Sequence, residues 1–219
     1  MIPVVVSAVL AGLLGAVSPR LLARLPEPPG EPDPDMPPKI PYAELGREPA
    51  LAWKFAIPAA ALAALAALTI TEPKLLPVWI PIAAATPVLA WVDWKVHLLP
   101  FFIVAPLYVV SWLLVAVSAV WMQDGQVLLH ALLGNLAVFG GYFLLGLVGP
   151  MGYGDIRLSA VLGVGLGPLG AAATFAGVFF GLVIGAVAGL ILVGGRIGTK
   201  TPIAFGPYLL LGAFAALWV

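Results

Sequence analysis

From Leu51 onward, long apolar stretches follow one another along the chain with only short polar interruptions. Each is about 17 to 25 residues long, which is the length a helix needs to cross roughly 30 Å of hydrocarbon. With 62% apolar and 9% charged residues, the chain lies far from soluble domains, which are roughly 45–50% apolar and 25% charged. The sequence therefore predicts an all-α fold, a polytopic membrane helix bundle.

The apolar runs predict eight transmembrane helices. The sixth is short, and seven spans result if Gly167-Pro168 only kinks a helix instead of ending it. The expected spans are 2–17, 51–71, 75–92, 98–121, 126–148, 155–167, 169–193 and 203–219. Along the seventh span, glycines 177, 181, 185 and 189 recur every four residues, which indicates close helix packing.

The first 50 residues contain one membrane helix and one polar loop. The opening run has no early lysine or arginine, and Ser18-Pro19-Arg20 is a poor cleavage site, so we expect an uncleaved first helix. Nine prolines lie between Arg20 and Pro49, which favours an extended or mobile segment over a helix. We interpret 1–50 as this helix and loop, and 51–219 as the main transmembrane domain.

The lysines and arginines predict the orientation. With the N-terminus outside and eight spans, nine of the ten cations lie on the inner side and only Lys74 lies outside. This distribution obeys the positive-inside rule. The same topology puts Asp93 at the inner end of the third span and Asp155 at the inner start of the sixth. Two carboxylates that are distant in sequence are therefore expected on the cytoplasmic face of a plasma or bacterial-type inner membrane.

Ionisable residues at a membrane segment are candidates for function. Two carboxylates that share a site cannot both ionise readily, so the pair holds one proton and can supply a general acid and a general base. Simpler interpretations are that Asp155 caps the next helix, or that Asp93 and Asp155 form ion pairs with Lys95 and Arg157. The glycines at 152 and 154 permit φ > 0 or a close approach of another segment.

Four segments carry a resemblance to a known family. GYGDIRLSAVLG at 152–163 resembles the GxGD signature of membrane aspartyl proteases, and it is most similar to the prepilin peptidases, or type IV leader peptidases. DWKVHLLP at 93–100 resembles the segment of the family's first catalytic aspartate. PIAFGPY at 202–208 resembles its PxxFGP segment, and PYAELG at 41–46 its short cytoplasmic segment before the second membrane helix.

The resemblance implies a function and site residues. It makes 51–219 a GxGD aspartyl peptidase domain with Asp93 and Asp155 as catalytic residues. Gly152, Tyr153 and Gly154 form the motif backbone. Candidates for substrate contact are Lys95, His97 and Arg157. The implied substrate is a prepilin-like protein with a basic leader, a glycine at the cleavage site and a hydrophobic helix that lies in membrane lipid.

The sequence also departs from the family. Bifunctional relatives carry two CxxC pairs in the first cytoplasmic loop and methylate the new N-terminus, whereas this chain has no cysteine. We therefore expect no metal site, no cofactor for proteolysis and no use of S-adenosylmethionine. Phe101 stands where many relatives have aspartate or asparagine. The zero net charge gives no reason to expect nucleic acid as a partner.

Two other functions fit parts of the pattern. Another GxGD protease, such as a preflagellin peptidase, would share the same motif. A small transporter would also use intramembrane carboxylates, but it should show inverted repeats around charges at the midplane. We find no convincing repeat, and both aspartates map to the inner margin. Asp124, in the opposite turn, is expected to lie too far away to join the pair.

Overall fold

The computed structural model describes residues 1–27, 40–149, 151–192 and 204–219. These residues form α-helices, short 3₁₀ turns and no strand, which confirms the predicted all-α fold. The helices are α1 Ile2–Leu22, α2 Tyr42–Leu45, α3 Leu51–Thr69, α4 Leu76–Val96, α5 Phe101–Met122, α6 Gln126–Val148, α7 Tyr153–Leu166, α8 Ala171–Leu192 and α9 Gly206–Ala215.

Six helices among the described residues are long and apolar enough to cross a membrane: α1, α3, α4 with the preceding 3₁₀ turn, α5, α6 and α8. Their exposed faces carry large apolar side chains, such as Leu13 and Leu113, each 61% exposed. Water would disfavour these surfaces, whereas lipid tails match them. The chain is therefore a multi-pass membrane protein, in which α7 and α9 are shorter helices inside the bundle.

Several helix ends differ from the sequence prediction; α4, for example, continues to Val96 instead of ending at 92, so Asp93 lies inside the helix. Helix α1 continues to Leu22 instead of ending at 17, with Pro19 inside the helix and the Ser18 hydroxyl donating to the Gly15 carbonyl at 2.8 Å. At the other uncertain boundary, α7 ends in a 3₁₀ turn, Gly167–Leu169, and Gly170 follows with φ 109°. A left-handed φ suits glycine, so α7 and α8 are separate helices joined by a turn.

Helix α4 lies at the centre of the bundle. It packs against α1, α3, α5 and α9, and 61% of its most apolar window is buried, more than in any other of the six long helices. Its inner positions therefore contact protein where the other long helices contact lipid. A residue at the end of α4 is consequently enclosed by neighbouring helices.

Helix α7 is held tightly against α6. A Cβ atom at Gly163 would lie 2.6 Å from the Gly134 carbonyl oxygen, so only glycine permits this approach. Asn135 adds polar contacts, because its side-chain amide donates to the Ala160 carbonyl at 2.8 Å and its oxygen accepts from the Tyr108 hydroxyl at 3.3 Å. Polar bonds of this kind hold membrane helices together, and these two fix the position of α7.

The ends of α1 and α4, helix α2 and the start of α3 meet at one end of the bundle, which we call the carboxylate end because Asp93 and Asp155 lie there. The apolar side chains of Leu22, Tyr42 and Val92 are buried in this contact. The Tyr42 backbone N–H donates to Glu27 Oε1 at 2.5 Å, and burial together with the charge of Glu27 raises the pKa of Tyr42 to about 12. The segment 20–49 was expected to be extended or mobile, but its two ends are helical, in α1 and α2, and packed against the bundle. Residues 28–39 lie outside the described residues.

Candidate active site

Asp93 lies in the last turn of α4 and is only 4% exposed. Its Oδ2 atom accepts a hydrogen bond from the Gly206 backbone N–H at 2.9 Å. Gly206 is the first residue of α9 and is separated from Asp93 by 113 positions. A buried carboxylate needs such partners because burial removes its hydration. The start of α9 therefore holds the Asp93 side chain in place.

Asp155 lies in the first turn of α7 and is 8% exposed. The N-cap of α7 is Gly152, so the interpretation of Asp155 as the capping residue is wrong, although a carboxylate in the first turn still meets the positive end of the helix dipole. Its Oδ2 faces the Gly152 backbone, where a Cβ would lie 3.2 Å away. Its Oδ1 is buried and has no hydrogen-bond partner among the described residues.

The two carboxylates lie at the same end of the bundle. Helix α9 packs against both α4 and α7, and the charge of Asp93 acts on Asp155. Leu99, in the loop after α4, touches both halves of the site. Its Cδ1 lies 3.4 Å from the position of a Cβ at Gly154 and 3.4 Å from that of a Cβ at Gly206. One leucine side chain thus contacts both the residue before Asp155 and the residue whose N–H bonds to Asp93.

The three motif residues before Asp155 have different surroundings. Gly154 has helical φ, so the suggestion of φ > 0 is wrong there. The alternative of a close approach fits, because a Cβ at Gly154 would lie 2.8 Å from Leu99 Cβ. Gly152 has extended angles, φ −66° and ψ 141°. Tyr153 is 78% exposed, in contrast to the buried aspartates.

The candidate substrate-contacting cations are not paired with the aspartates. Lys95 forms an ion pair with Glu48 at 3.5 Å and lies 4.5 Å from the centre of the Trp91 ring. The Arg157 guanidinium lies 5.1 Å from the centre of the Phe101 ring, and its side chain is exposed. The alternative of simple ion pairs, Asp93 with Lys95 or Asp155 with Arg157, therefore does not describe this arrangement.

His97 does not extend the helix that carries Asp93. Helix α4 ends at Val96, and His97 is its C-cap with φ 53° and ψ 35°, a left-handed conformation. Its backbone N–H bonds to the Asp93 carbonyl at 2.8 Å, and its ring Nδ1 is buried without a hydrogen-bond partner within the described ranges. Although its spacing from Asp93 would fit one helix face, His97 therefore lies beyond the helix.

Sequence reasoning assigned no role to three aromatic residues beside the pair. Tyr142 of α6 is 2% exposed. The negative charge of Asp155 acts on Tyr142, and that of Asp93 acts on Tyr208 of α9. Phe205 lies between them, with ring centroids 6.5 Å from Tyr142 and 6.2 Å from Tyr208. The FGP letters at 205–207 were the available signal for Phe205, whereas nothing local distinguished Tyr142 from other tyrosines.

The site offers acid and base groups. No group of three or more His, Cys, Asp or Glu side chains that could hold a metal lies among the described residues. Two buried carboxylates with one unpaired oxygen can hold a proton between them and activate a water molecule. This is the chemistry that hydrolysis of a peptide bond requires.

A separate cavity of about 380 Å³ lies between α6 and α8. Its lining includes His130, Gly167 and Phe175, which belong to the end of the bundle opposite the aspartates. Gly167 follows the last residue of α7, whereas Asp155 is in its first turn. The cavity therefore does not belong to the carboxylate pair.

Comparison with known proteins gives one match. The sequence profile of the type IV leader peptidase family matches residues 80–194, just over half of the chain. The matched range contains Asp93 and Asp155 and ends before Gly206. Searches of curated proteins and of solved structures gave no match.

Proposed function

We propose a specific reaction for this chain, which belongs to the type IV leader peptidase family and is therefore a peptidase of prepilin type. The reaction is cleavage of a prepilin-like protein by an aspartyl mechanism, with Asp93 and Asp155 as the catalytic residues. The observation that carries this proposal is the burial of both carboxylates at one end of the bundle, where Leu99 contacts both Gly154, next to Asp155, and Gly206, which bonds to Asp93.

The mechanism uses the pair with one proton. The ionised carboxylate accepts a proton from a water molecule, whose oxygen attacks the scissile carbonyl carbon, while the protonated carboxylate donates a hydrogen bond to the carbonyl oxygen. The tetrahedral intermediate then collapses as the carbon–nitrogen bond breaks and the leaving amine receives a proton. The proton belongs to the pair rather than to either aspartate.

The position of the aspartate pair supports a prepilin-like substrate. The pair lies at the ends of membrane helices, so a scissile bond at the membrane margin can reach it without unfolding a whole transmembrane segment. A basic leader outside the bilayer followed by a hydrophobic helix meets this requirement. Two residues remain candidates for contact with that substrate: His97, and Arg157, which is exposed two residues after Asp155 in α7.

The cytoplasmic face is the proposed side of cleavage. Among the described residues, Arg20, Arg47, Lys54, Lys95 and Arg157 lie toward the carboxylate end. Lys74 is at the other end, where its amine bonds to the Trp121 carbonyl at 3.4 Å. An excess of cations on one side supports a cytoplasmic location of that side.

We further propose that cleavage is not followed by methylation. The chain has no cysteine with which to order its first loop around a metal. Three of the loop's six carboxylates, Glu31, Asp33 and Asp35, lie outside the described residues. Incubation of the purified protein with a prepilin and S-adenosylmethionine, followed by intact mass, is expected to show an unmodified new N-terminus. A gain of about 14 Da that depends on this protein would contradict the proposal.

One assay tests the main reaction. Purified protein in lipid is incubated with a prepilin, and mass spectrometry gives the new N-terminus. We expect a cut between the basic leader and the hydrophobic helix with the native chain, and none with Asp93→Asn or Asp155→Asn. Normal cleavage by either variant would rule out the aspartyl mechanism, and cleavage of no prepilin by the native chain would rule out the proposed substrate class.

A further inference from the structure

The glycines of α8 leave room for a side chain next to the carboxylate pair. A Cβ at Gly185 would lie 2.8 Å from Cζ of Phe205 and closer still to its Cε2. The Phe205 ring therefore occupies the space that a side chain at position 185 would need. This contact gives Gly185 a more specific purpose than general helix packing.

Phe205 is enclosed by three helices. Besides Gly185 of α8, its ring packs on Tyr142 of α6 at an interplanar angle of 60° and on Tyr208 of α9 at 76°. Tyr142 is itself seated against α8, because its hydroxyl lies 3.0 Å from the position of a Cβ at Gly181. Contacts on these sides restrict the positions that the Phe205 ring can take.

The residue after Phe205 is the one that holds Asp93. Gly206 donates its backbone N–H to Asp93 Oδ2 at 2.9 Å. A Cβ at Gly206 would also lie 2.9 Å from that same oxygen. The fit between this backbone and the carboxylate is therefore tight, and a small displacement of residue 205 moves the N–H away from the carboxylate.

We propose that Phe205 is a positioning residue: its ring, seated against Gly185 of α8, fixes the Gly206 N–H on the Asp93 carboxylate. The inference rests on the proposed function in that its effect is read as peptide cleavage. It extends that function, since it assigns Phe205 and Gly185 an indirect role, through Gly206, in orienting Asp93.

A size-compensation experiment tests the contact. Gly185→Ala forces the Phe205 ring to move and is expected to lower kcat on the order of tenfold to a hundredfold, since misplacement by about 1 Å has this effect. KM should change by less than about twofold, because binding of the substrate helix does not involve this contact. Phe205→Leu, which lacks the outer ring atoms, should lower kcat moderately by itself.

The double variant Gly185→Ala/Phe205→Leu decides the question. Leucine removes the atoms that the new methyl group would hit, so kcat of the double variant should exceed that of Gly185→Ala alone. If the two substitutions are independent, the double variant is instead slower than either single variant. A double variant slower than Gly185→Ala would overturn the proposal.

Gly177→Ala is the matched control in the same helix. Its Cβ would meet a side chain at a comparable distance, 2.5 Å from Leu166 Cδ1, but at the opposite end of the bundle from the aspartates. We expect a similar loss of thermal stability and an unchanged kcat for the folded fraction. Equal losses of kcat in Gly177→Ala and Gly185→Ala would show that the effect is general packing and would overturn the proposal.

A distance measurement keeps the inference testable if the native chain cleaves no prepilin. The chain has no cysteine, so spin labels attach only at introduced positions, Trp94→Cys on α4 and Leu211→Cys on α9, both exposed in the native chain. Gly185→Ala should shift or broaden the distance distribution, and adding Phe205→Leu should restore it. An unchanged distribution in Gly185→Ala would overturn the positioning role, whereas failed cleavage by the native chain would count only against the proposed function.

Discussion

The two aspartates are held in different ways. Asp155 is oriented locally, by its place in the first turn of α7 and by the Gly152 backbone three residues earlier, and its Oδ1 is left without a hydrogen-bond partner in the described part of the chain. Asp93 is oriented from a distance, by the Gly206 N–H at the start of α9. One half of the site thus depends on a helix start, and the other depends on packing of the whole bundle.

This difference makes the two halves depend on different supports. The Asp155 Oδ1 atom, without a hydrogen-bond partner in the described part of the chain, can bind water or exchange a proton. Asp93 Oδ2 accepts the N–H of a residue in another helix, so its orientation depends on the position of that helix. Leu99 contacts both Gly154 and Gly206 and so fixes the start of α7 relative to the start of α9. The comparison predicts that loss of either carboxylate is equally severe, while changes in their supports are not.

The largest effect is expected from removal of either carboxylate. Asp93→Asn and Asp155→Asn should each abolish cleavage, because an amide can neither ionise nor supply the acidic proton. Both variants should remain in the membrane in normal amounts. Asp124→Asn is the internal control, since Asp124 lies at the other end and bonds to the Gln126 N–H at 2.9 Å. Turnover by an Asn variant at the native rate would contradict the equal requirement for both.

The next effect concerns the contact between the halves. Gly154→Val should disable the enzyme, because even a Cβ at this position would lie 2.8 Å from Leu99 Cβ and a branched side chain needs more room. Gly154→Ala should retain more activity than the valine variant. A kcat assay on equal amounts of folded protein measures both. Normal turnover by Gly154→Val would show that the α7 start does not need this close approach.

Gly206→Ala and Gly152→Ala compare the two supports directly. The methyl group at 206 would lie 2.9 Å from Asp93 Oδ2 and the one at 152 would lie 3.2 Å from Asp155 Oδ2. We expect Gly206→Ala to lower kcat on the order of tenfold to a hundredfold, and Gly152→Ala to lower it about tenfold or less, because the first turn can shift locally. The reverse order of effects, in parallel kcat and KM measurements, would show that the local support is the more critical one.

Local patterns in the sequence predicted much of this structure. Apolar length predicted the helix bundle, and the cation distribution put Asp93 and Asp155 at one end. The Gly206–Asp93 bond and the burial of Tyr142 could not be predicted, because they join segments from different helices. The conformation of His97 could not be predicted for a related reason: its spacing from Asp93 fits a helix face, but α4 ends at Val96 and His97 is left-handed.

The smallest effect is expected at Lys95, which was a candidate for substrate contact. Its ion pair with Glu48 is about one-third exposed at both side chains, and pairs of this kind contribute about 0–1 kcal/mol. If Lys95 serves only to hold the segment before α3 to the end of α4, Lys95→Gln and Glu48→Gln should both lower the thermal stability slightly, more so at low salt, and leave kcat/KM unchanged.

If Lys95 instead binds substrate, Lys95→Gln raises KM whereas Glu48→Gln, which releases the amine, does not. We expect the first result, because the amine is already engaged by Glu48 and by the face of Trp91, on a side chain that makes no ion pair with Asp93. A rise in KM confined to Lys95→Gln would return Lys95 to the binding site.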